Sequence, residues 1–236
     1  MKKAVLIALM LAFSSHVNAA EVPQAIYDQL NKVVPGYDPA NVSLSPVTGL
    51  YEFIADGHVM YISKDGRYVV SGDVIDMETR TNLTKQKQGK ITLAAIDKVG
   101  DDQMLIFGDD KDTRTLTIFT DVDCPYCSMM HKEVPKLNEA GIRIRYLLYP
   151  RAGMASPTYA KSVSVWCADD RKKAIGIAKA GGKIEAKTCD NPVEDHMKLG
   201  EMVGVSGTPT LILDDGRILP GYVPADKLIA IINQKI

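Results

Sequence analysis

Only four of the 236 residues are cysteine, far too few for a small domain stapled by disulfides. Basic charge is not in surplus either. The 28 Lys and Arg stand against 29 Asp and Glu, which excludes affinity built on a cationic surface and gives no reason to expect a nucleic-acid partner. No apolar run reaches the ~20 residues of a membrane-spanning helix. Neither an internal repeat nor a low-complexity tract interrupts the chain. What is present is a globular composition, 46% hydrophobic and 24% charged, in a chain long enough for one large domain or two smaller ones.

The N-terminus carries its own pattern. Lys2 and Lys3 precede a ten-residue apolar run, 4–13, and Val17-Asn18-Ala19 offers a small-residue exit. That is the layout of a secretory signal peptide over residues 1–19. Its removal takes away two lysines and no acidic residue, leaving 217 residues and a net charge of −3. Export leads to an oxidising compartment, where paired cysteines persist as disulfides.

Between about 21 and 44, Ile26, Leu30 and Val33/Val34 fit a short amphipathic helix closed by Pro35-Gly36. Residues 50–54, 59–62 and 68–70 predict strands, with turns at Asp56-Gly57 and Asp65-Gly66: an antiparallel meander with one helix over it. A sheet that small has little core and leaves unpaired edges, so this α+β domain, residues 20–80, is expected to pair with a second copy. Ile91, Ala94, Ala95 and Val99 at helical spacing mark a helix over 81–100, which serves as a linker or as a surface helix of a single domain.

From residue 101 to 236 the order changes. A strand at 115–120 leads through Asp121-Val122-Asp123 into Cys124-Pro125-Tyr126-Cys127. Tyr126, Met130, Val134 and Leu137 then recur at helical spacing as far as Gly141, and a strand follows at 142–149. This is a βαβ unit whose helix Pro135 is expected to kink or shorten. Ser156-Pro157 opens a helical stretch carrying Val163, Trp166 and Cys167, which Gly181-Gly182 interrupts, and a further helix is predicted over 193–203. The chain closes with Gly207-Thr208-Pro209-Thr210, a hairpin around Asp214-Asp215-Gly216 and a helix from about Ala225.

A C-x-x-C pair serves as a redox dithiol, as half of a zinc site or as a structural bridge. At a strand-to-helix turn, unpaired N–H groups and the helix dipole favour the thiolate of the first cysteine. Cys124 is therefore the expected nucleophile, Cys127 one turn on the resolving thiol, and Pro125 suits the first helical position. Zinc would need two more ligands. There is no second C-x-x-C and no H-x₃₋₅-H, only His131 nearby, so neither metal nor other cofactor is expected. A purely structural bridge between Cys124 and Cys127 would close too short a loop to add much stability. Cys167 and Cys189, 22 apart, are assigned to each other as a structural disulfide. Closing such a loop is worth roughly 3 kcal/mol. The alternative is a second redox pair that relays electrons to the first.

The C-x-x-C between strand and helix, with a distant Thr-Pro before a hairpin and terminal helix, resembles the thioredoxin fold over about 103–236, with 154–203 inserted as helices. Tyr61-Ile62-Ser63-Lys64-Asp65-Gly66, Phe119-Thr120-Asp121, Tyr149-Pro150-Arg151, Trp166-Cys167 and Gly204-Val205-Ser206-Gly207-Thr208-Pro209 extend the likeness along the whole chain. It resembles the DsbC/DsbG family of periplasmic thiol:disulfide isomerases. The resemblance implies a cystatin-like N-terminal dimerisation domain, a linker helix and an α/β thioredoxin-like catalytic domain with a helical insertion. It implies a V-shaped homodimer around an apolar cleft, with chaperone activity beside isomerisation. A cis Thr208-Pro209 bond is expected beside Cys124, where, with Pro125 and Tyr126, an extended substrate can bind as an added strand. The implied partners are misoxidised or unfolded secreted proteins and a membrane electron donor of the DsbD type. Pro125-Tyr126 stands where DsbC members typically have Gly-Tyr and DsbG members Pro-Tyr. A DsbG-like reductase of sulfenylated single cysteines is therefore one alternative, and a holdase with secondary redox activity is another. Pro135 also departs from the DsbC pattern.

Overall fold

The computed structural model describes residues 21–34, 37–109 and 111–234; the signal peptide expected over 1–19 and the Pro35-Gly36 helix end lie outside them. The chain divides into two compact units, one of residues through Ile54 together with Met60–Val70, the other of Ala55–Val59 together with Ser71 onward.

The first unit carries helix α1 (Gln24–Val33), which buries Ile26 and Leu30, one turn apart, as their i, i+4 spacing requires. Four strands form an antiparallel sheet in the order β1 (Ser43–Leu44), β2 (Leu50–Ala55), β3 (His58–Ser63) and β4 (Val69–Val70). Gly66 turns the chain between β3 and β4 with φ +71°, and a Cβ there would stand 2.7 Å from the Ala25 carbonyl oxygen, so glycine lets α1 lie directly on this turn. Strand β4 is an edge whose apolar side chains face solvent: Tyr68 just before it is 58% exposed, and Val69 and Val70 about half.

In the second unit a short ribbon, β5 (Ile75–Asp76) with β6 (Thr81–Asn82), leads into α2 (Leu83–Asp97), whose start is capped by the Asn82 side chain accepting from the Lys85 N–H. Helix α2 is not free of its unit. Ile96 is fully buried with Met104, Phe119, Leu147 and Leu199, and Gly216 approaches Gly89 so closely that a Cβ would stand 2.4 Å from its backbone. The five-stranded sheet is built from β7 (Leu105–Phe107), β8 (Arg114–Thr120), β9 (Ile142–Leu148), β10 (Thr210–Ile212) and β11 (Ile218–Pro220), in the order β11-β10-β8-β9-β7. Strands β8 and β9 run parallel, joined by α3 (Pro125–Glu139), while the other pairings are antiparallel. Alternation along β8 and β9 sends Leu116, Ile118, Ile144 and Tyr146 to one face, against Met130 and Leu137 of α3, and Phe119 and Leu147 to the other. Helices α4 (Pro157–Trp166), α5 (Arg171–Lys179) and α6 (Val193–Met202) form the insertion, and α7 (Ala225–Asn233) closes the unit.

Pro135 does not shorten its helix. Helix α3 runs through it to Glu139 because Val134 and Leu137 on either side are buried in the core, and their burial outweighs the one backbone hydrogen bond a proline cannot donate. Cys167 and Cys189 are bonded to each other, with Cα atoms 5.7 Å apart, joining the end of α4 to the segment before α6. Replacing both by alanine is expected to cost about 3 kcal/mol by the loop-closure argument, read as a lower urea midpoint.

His196 on α6 is buried, with Nδ1 accepting the Leu148 N–H at 3.1 Å and Nε2 donating to the Gln103 carbonyl at 2.8 Å. Those roles require the neutral imidazole, and burial lowers its pKa to about 4. Its stabilisation is complete above the unfolded value near 6.5 and is lost as pH falls toward 4, reaching about 3 kcal/mol. Imidazole ¹⁵N spectra at pH 5.5 should show His196 neutral and protonated on Nε2. An imidazolium at that pH would refute the assignment.

Candidate active site

Strand β8 ends at Thr120, and four residues later Cys124 stands at the N-cap of α3 with extended backbone angles, φ −82° and ψ 123°. Pro125 takes the first helical position, where its missing N–H has no partner to lose. The turn is held from two sides. Asp121, 2% exposed, accepts from both the backbone N–H and Nε of Arg151 at 3.0 Å, and from the Asp123 N–H at 2.8 Å. Asp123 in turn accepts from Lys161 Nζ at 2.6 Å and Thr158 Oγ1 at 2.8 Å, both on α4.

The two sulfurs are unbonded and differ in their surroundings. Cys124 Sγ donates to the Thr208 carbonyl at 3.3 Å, and the Thr208–Pro209 bond is cis. Cys127, fully buried, accepts the Asp121 N–H at 3.5 Å. Burial works to raise the Cys124 thiol, but hydrogen bonding from the Cys127 N–H, from the Thr208 side chain and from the Cys127 side chain, with the Arg151 charge, outweighs it and holds the pKa below the ordinary thiol value. Burial pushes the Cys127 thiol up. The thiolate form is therefore favoured at the first cysteine and disfavoured at the second.

The structure brings Cys124, Cys127, Pro125, Tyr126, Thr208 and Pro209 to one end of the sheet, with Tyr126 60% exposed beside the dithiol. Cys167 and Cys189, paired with each other, take no part in it. His131 faces inward: its Nδ1 lies 3.1 Å from the Tyr146 hydroxyl and its ring meets Phe107 edge-on. Among the described residues no cluster of His, Cys, Asp or Glu could hold a metal ion. Residue patterns alone did not single out Asp121, Arg151 or Lys179 as site residues. The signal for Lys179 was present: it continues the apolar stripe of Ala174, Ile175 and Ala178 on α5, where a lysine has no reason to be unless a partner is buried with it.

Residues 101–236 match a family model described as a thioredoxin-like domain, and residues 17–85 match one described as the disulfide bond isomerase protein N-terminal domain. The chain is 34% identical to the thiol:disulfide interchange protein DsbC of Dickeya dadantii over 234 residues, 98% of this chain and 95% of that protein. It is 32% identical to DsbC of Escherichia coli K12 over 231 residues, 97% and 94% of the two chains. A solved disulfide interchange protein from Neisseria gonorrhoeae has 30% identity and a TM-score of 0.50, covering 57% of this chain and 98% of its own.

Thiolate absorbance of the reduced protein should rise with pH in two steps that straddle the ordinary thiol value, the lower disappearing in Cys124→Ser. A single step at the free-cysteine position would contradict the asymmetry.

Proposed function

Because the chain belongs to the DsbC family of thiol:disulfide interchange proteins, we propose that Cys124 is the attacking thiol of its exchange reaction and Cys127 the resolving thiol. The molecule is a thiol:disulfide interchange enzyme of the disulfide isomerase type, with a thioredoxin-like catalytic domain. The observation that carries the residue assignment is the asymmetry of the two thiols across the first turn of α3.

The Cys124 thiolate attacks one sulfur of a substrate disulfide. A Cys124–substrate bond forms, the substrate bond breaks, and the second substrate sulfur leaves as a thiolate. When a substrate thiolate then displaces Cys124, the disulfide has been rearranged with no net electron transfer. When Cys127 displaces it, the substrate is reduced by two electrons and the Cys124–Cys127 pair is left oxidised. Resetting that pair needs a donor, which we assign to a membrane protein of the DsbD type. The backbone at Thr208-Pro209, with Pro125 and Tyr126, binds the substrate as an extended segment beside Cys124.

Exposed Tyr126 and Met129 on the first turns of α3 support contact with unfolded, apolar segments of misoxidised secreted proteins, and hence chaperone activity. The exposed apolar edge at β4 supports a homodimer joined through the N-terminal unit. The 1–19 pattern and the Cys167–Cys189 disulfide support a periplasmic location, reached by a cleaved signal peptide. Pro125-Tyr126 favours a second activity, reduction of sulfenylated single cysteines: Cys124 attacks the sulfenic sulfur, water leaves, and Cys127 releases the restored thiol.

Trapping with Cys127→Ser in the native compartment should yield covalent adducts through Cys124 with multi-disulfide proteins. Adducts dominated by single-cysteine proteins would favour the sulfenic-acid activity, and no adducts at all would overturn the assignment. Cys124→Ser should reduce refolding of a scrambled multi-disulfide protein to the uncatalysed rate.

A further inference from the structure

Lys179, the last residue of α5, is 8% exposed. Its ammonium donates to Thr120 Oγ1 at 2.8 Å and to the Asp121 carbonyl at 3.3 Å. The backbone N–H of the same Asp121 is the donor to Cys127 Sγ at 3.5 Å, so a single residue of the turn touches both the lysine and the buried sulfur.

A cation taken out of water is costly unless an anion is buried with it. Among the described residues no ion pair involves Lys179: the Asp121 carboxylate is held by Arg151, and that of Asp123 by Lys161. The groups facing the ammonium are those two carboxylates in the turn, Cys124, Cys127 and His131 on α3, and Tyr146 on β9, whose ring centroid is 5.8 Å from Nζ. Burial keeps His131 and Tyr146 uncharged at neutral pH. Cys127 acts on the lysine most strongly of these, ahead of the Asp121 carboxylate that Arg151 holds, and it shares the lysine's anchor in the Asp121 backbone.

We propose that Lys179 is a positioning residue of the exchange reaction, its buried ammonium favouring the Cys127 thiolate as that sulfur displaces substrate from Cys124. In that step the Cys127 sulfur forms a bond to Cys124 and the Cys124–substrate bond breaks. The substrate sulfur leaves with the electron pair and takes a proton from solvent. The inference rests on the assignment of Cys124 as attacking and Cys127 as resolving thiol. The electrostatics run in the same direction from both partners. Burial raises the Cys127 thiol, and the Lys179 charge is the largest influence pulling it back. Burial lowers Lys179 to about 8, and Cys127 is the strongest charge opposing that. Such a coupling is reciprocal.

Lys179→Met keeps the length of the side chain and removes the charge. With a substrate joined to Cys124 in a preformed mixed disulfide, stopped-flow release by Cys127 at pH 7 should slow by roughly threefold for each unit by which the Cys127 thiol rises. The thiolate fraction falls tenfold per unit, and the more basic sulfur recovers part of it as a better nucleophile. Capture of substrate by Cys124, measured separately, should change less than twofold. The difference between the two proteins should close above pH 8, where the wild-type lysine loses its proton. In the unaltered protein, NMR titration of the Lys179 ammonium should give a lower midpoint in the Cys124–Cys127 disulfide form than in the dithiol form. Equal midpoints in the two redox forms, or release unchanged in Lys179→Met, would overturn the role of Lys179. Absence of capture by wild-type Cys124 would instead overturn the thiol assignment on which it rests.

Discussion

The parallel pairing of β8 with β9 is the constraint from which the dithiol site hangs. The register ends with Thr120 opposite Leu148, and the Tyr149 N–H extends it by bonding the Thr120 carbonyl at 2.8 Å. The two chains therefore leave the sheet at the same level, which brings Asp121 and Arg151 together. On the other side of β8 the antiparallel register sets Thr210 against Phe119, so that stepping back along β10 and forward along β8 brings Thr208 beside the turn that carries Cys124. A slip by one residue on either side would exchange the faces of the strand and separate the cis-proline segment from the sulfurs.

Electrostatics at this end of the sheet works through burial more than through proximity to solvent. The two thiols share one turn of one helix and are driven apart because hydrogen bonds converge on Cys124 while Cys127 is enclosed. Other polar groups of the unit are held neutral or in fixed partnership: His131 against Tyr146, Asp121 against Arg151, and His196 between two backbone groups. Where such groups are buried, a charge reaches further than it would in water.

Much of this was legible in the residues. The β8–α3–β9 unit, the sulfurs at its turn and the closing hairpin and helix follow from periodicities of two and 3.6 interrupted by glycine and proline. The family itself was visible through motifs that resemble DsbC. What escaped has identifiable causes. Strand β7 is three residues long and pairs at an edge, so Leu105–Phe107 carries too short an alternation to stand out. Pro135 argued for a kinked or shortened helix because local propensity cannot weigh the burial of Val134 and Leu137. Helix α2 was legible as a helix but its neighbours were not, since it meets them through Gly89 at one point and Ile96 at another. Lys179 is the sharpest case. A lysine on an apolar stripe looks like noise until the sheet places Thr120 and Asp121 over it.

Cys189 lies exposed and Cys167 partly so, whereas Cys124 and Cys127 are almost wholly covered. The bridge that must survive is thus the easier of the two pairs for a passing thiol to reach. A donor that chose its target by accessibility alone would open the staple of the insertion and leave the working pair untouched.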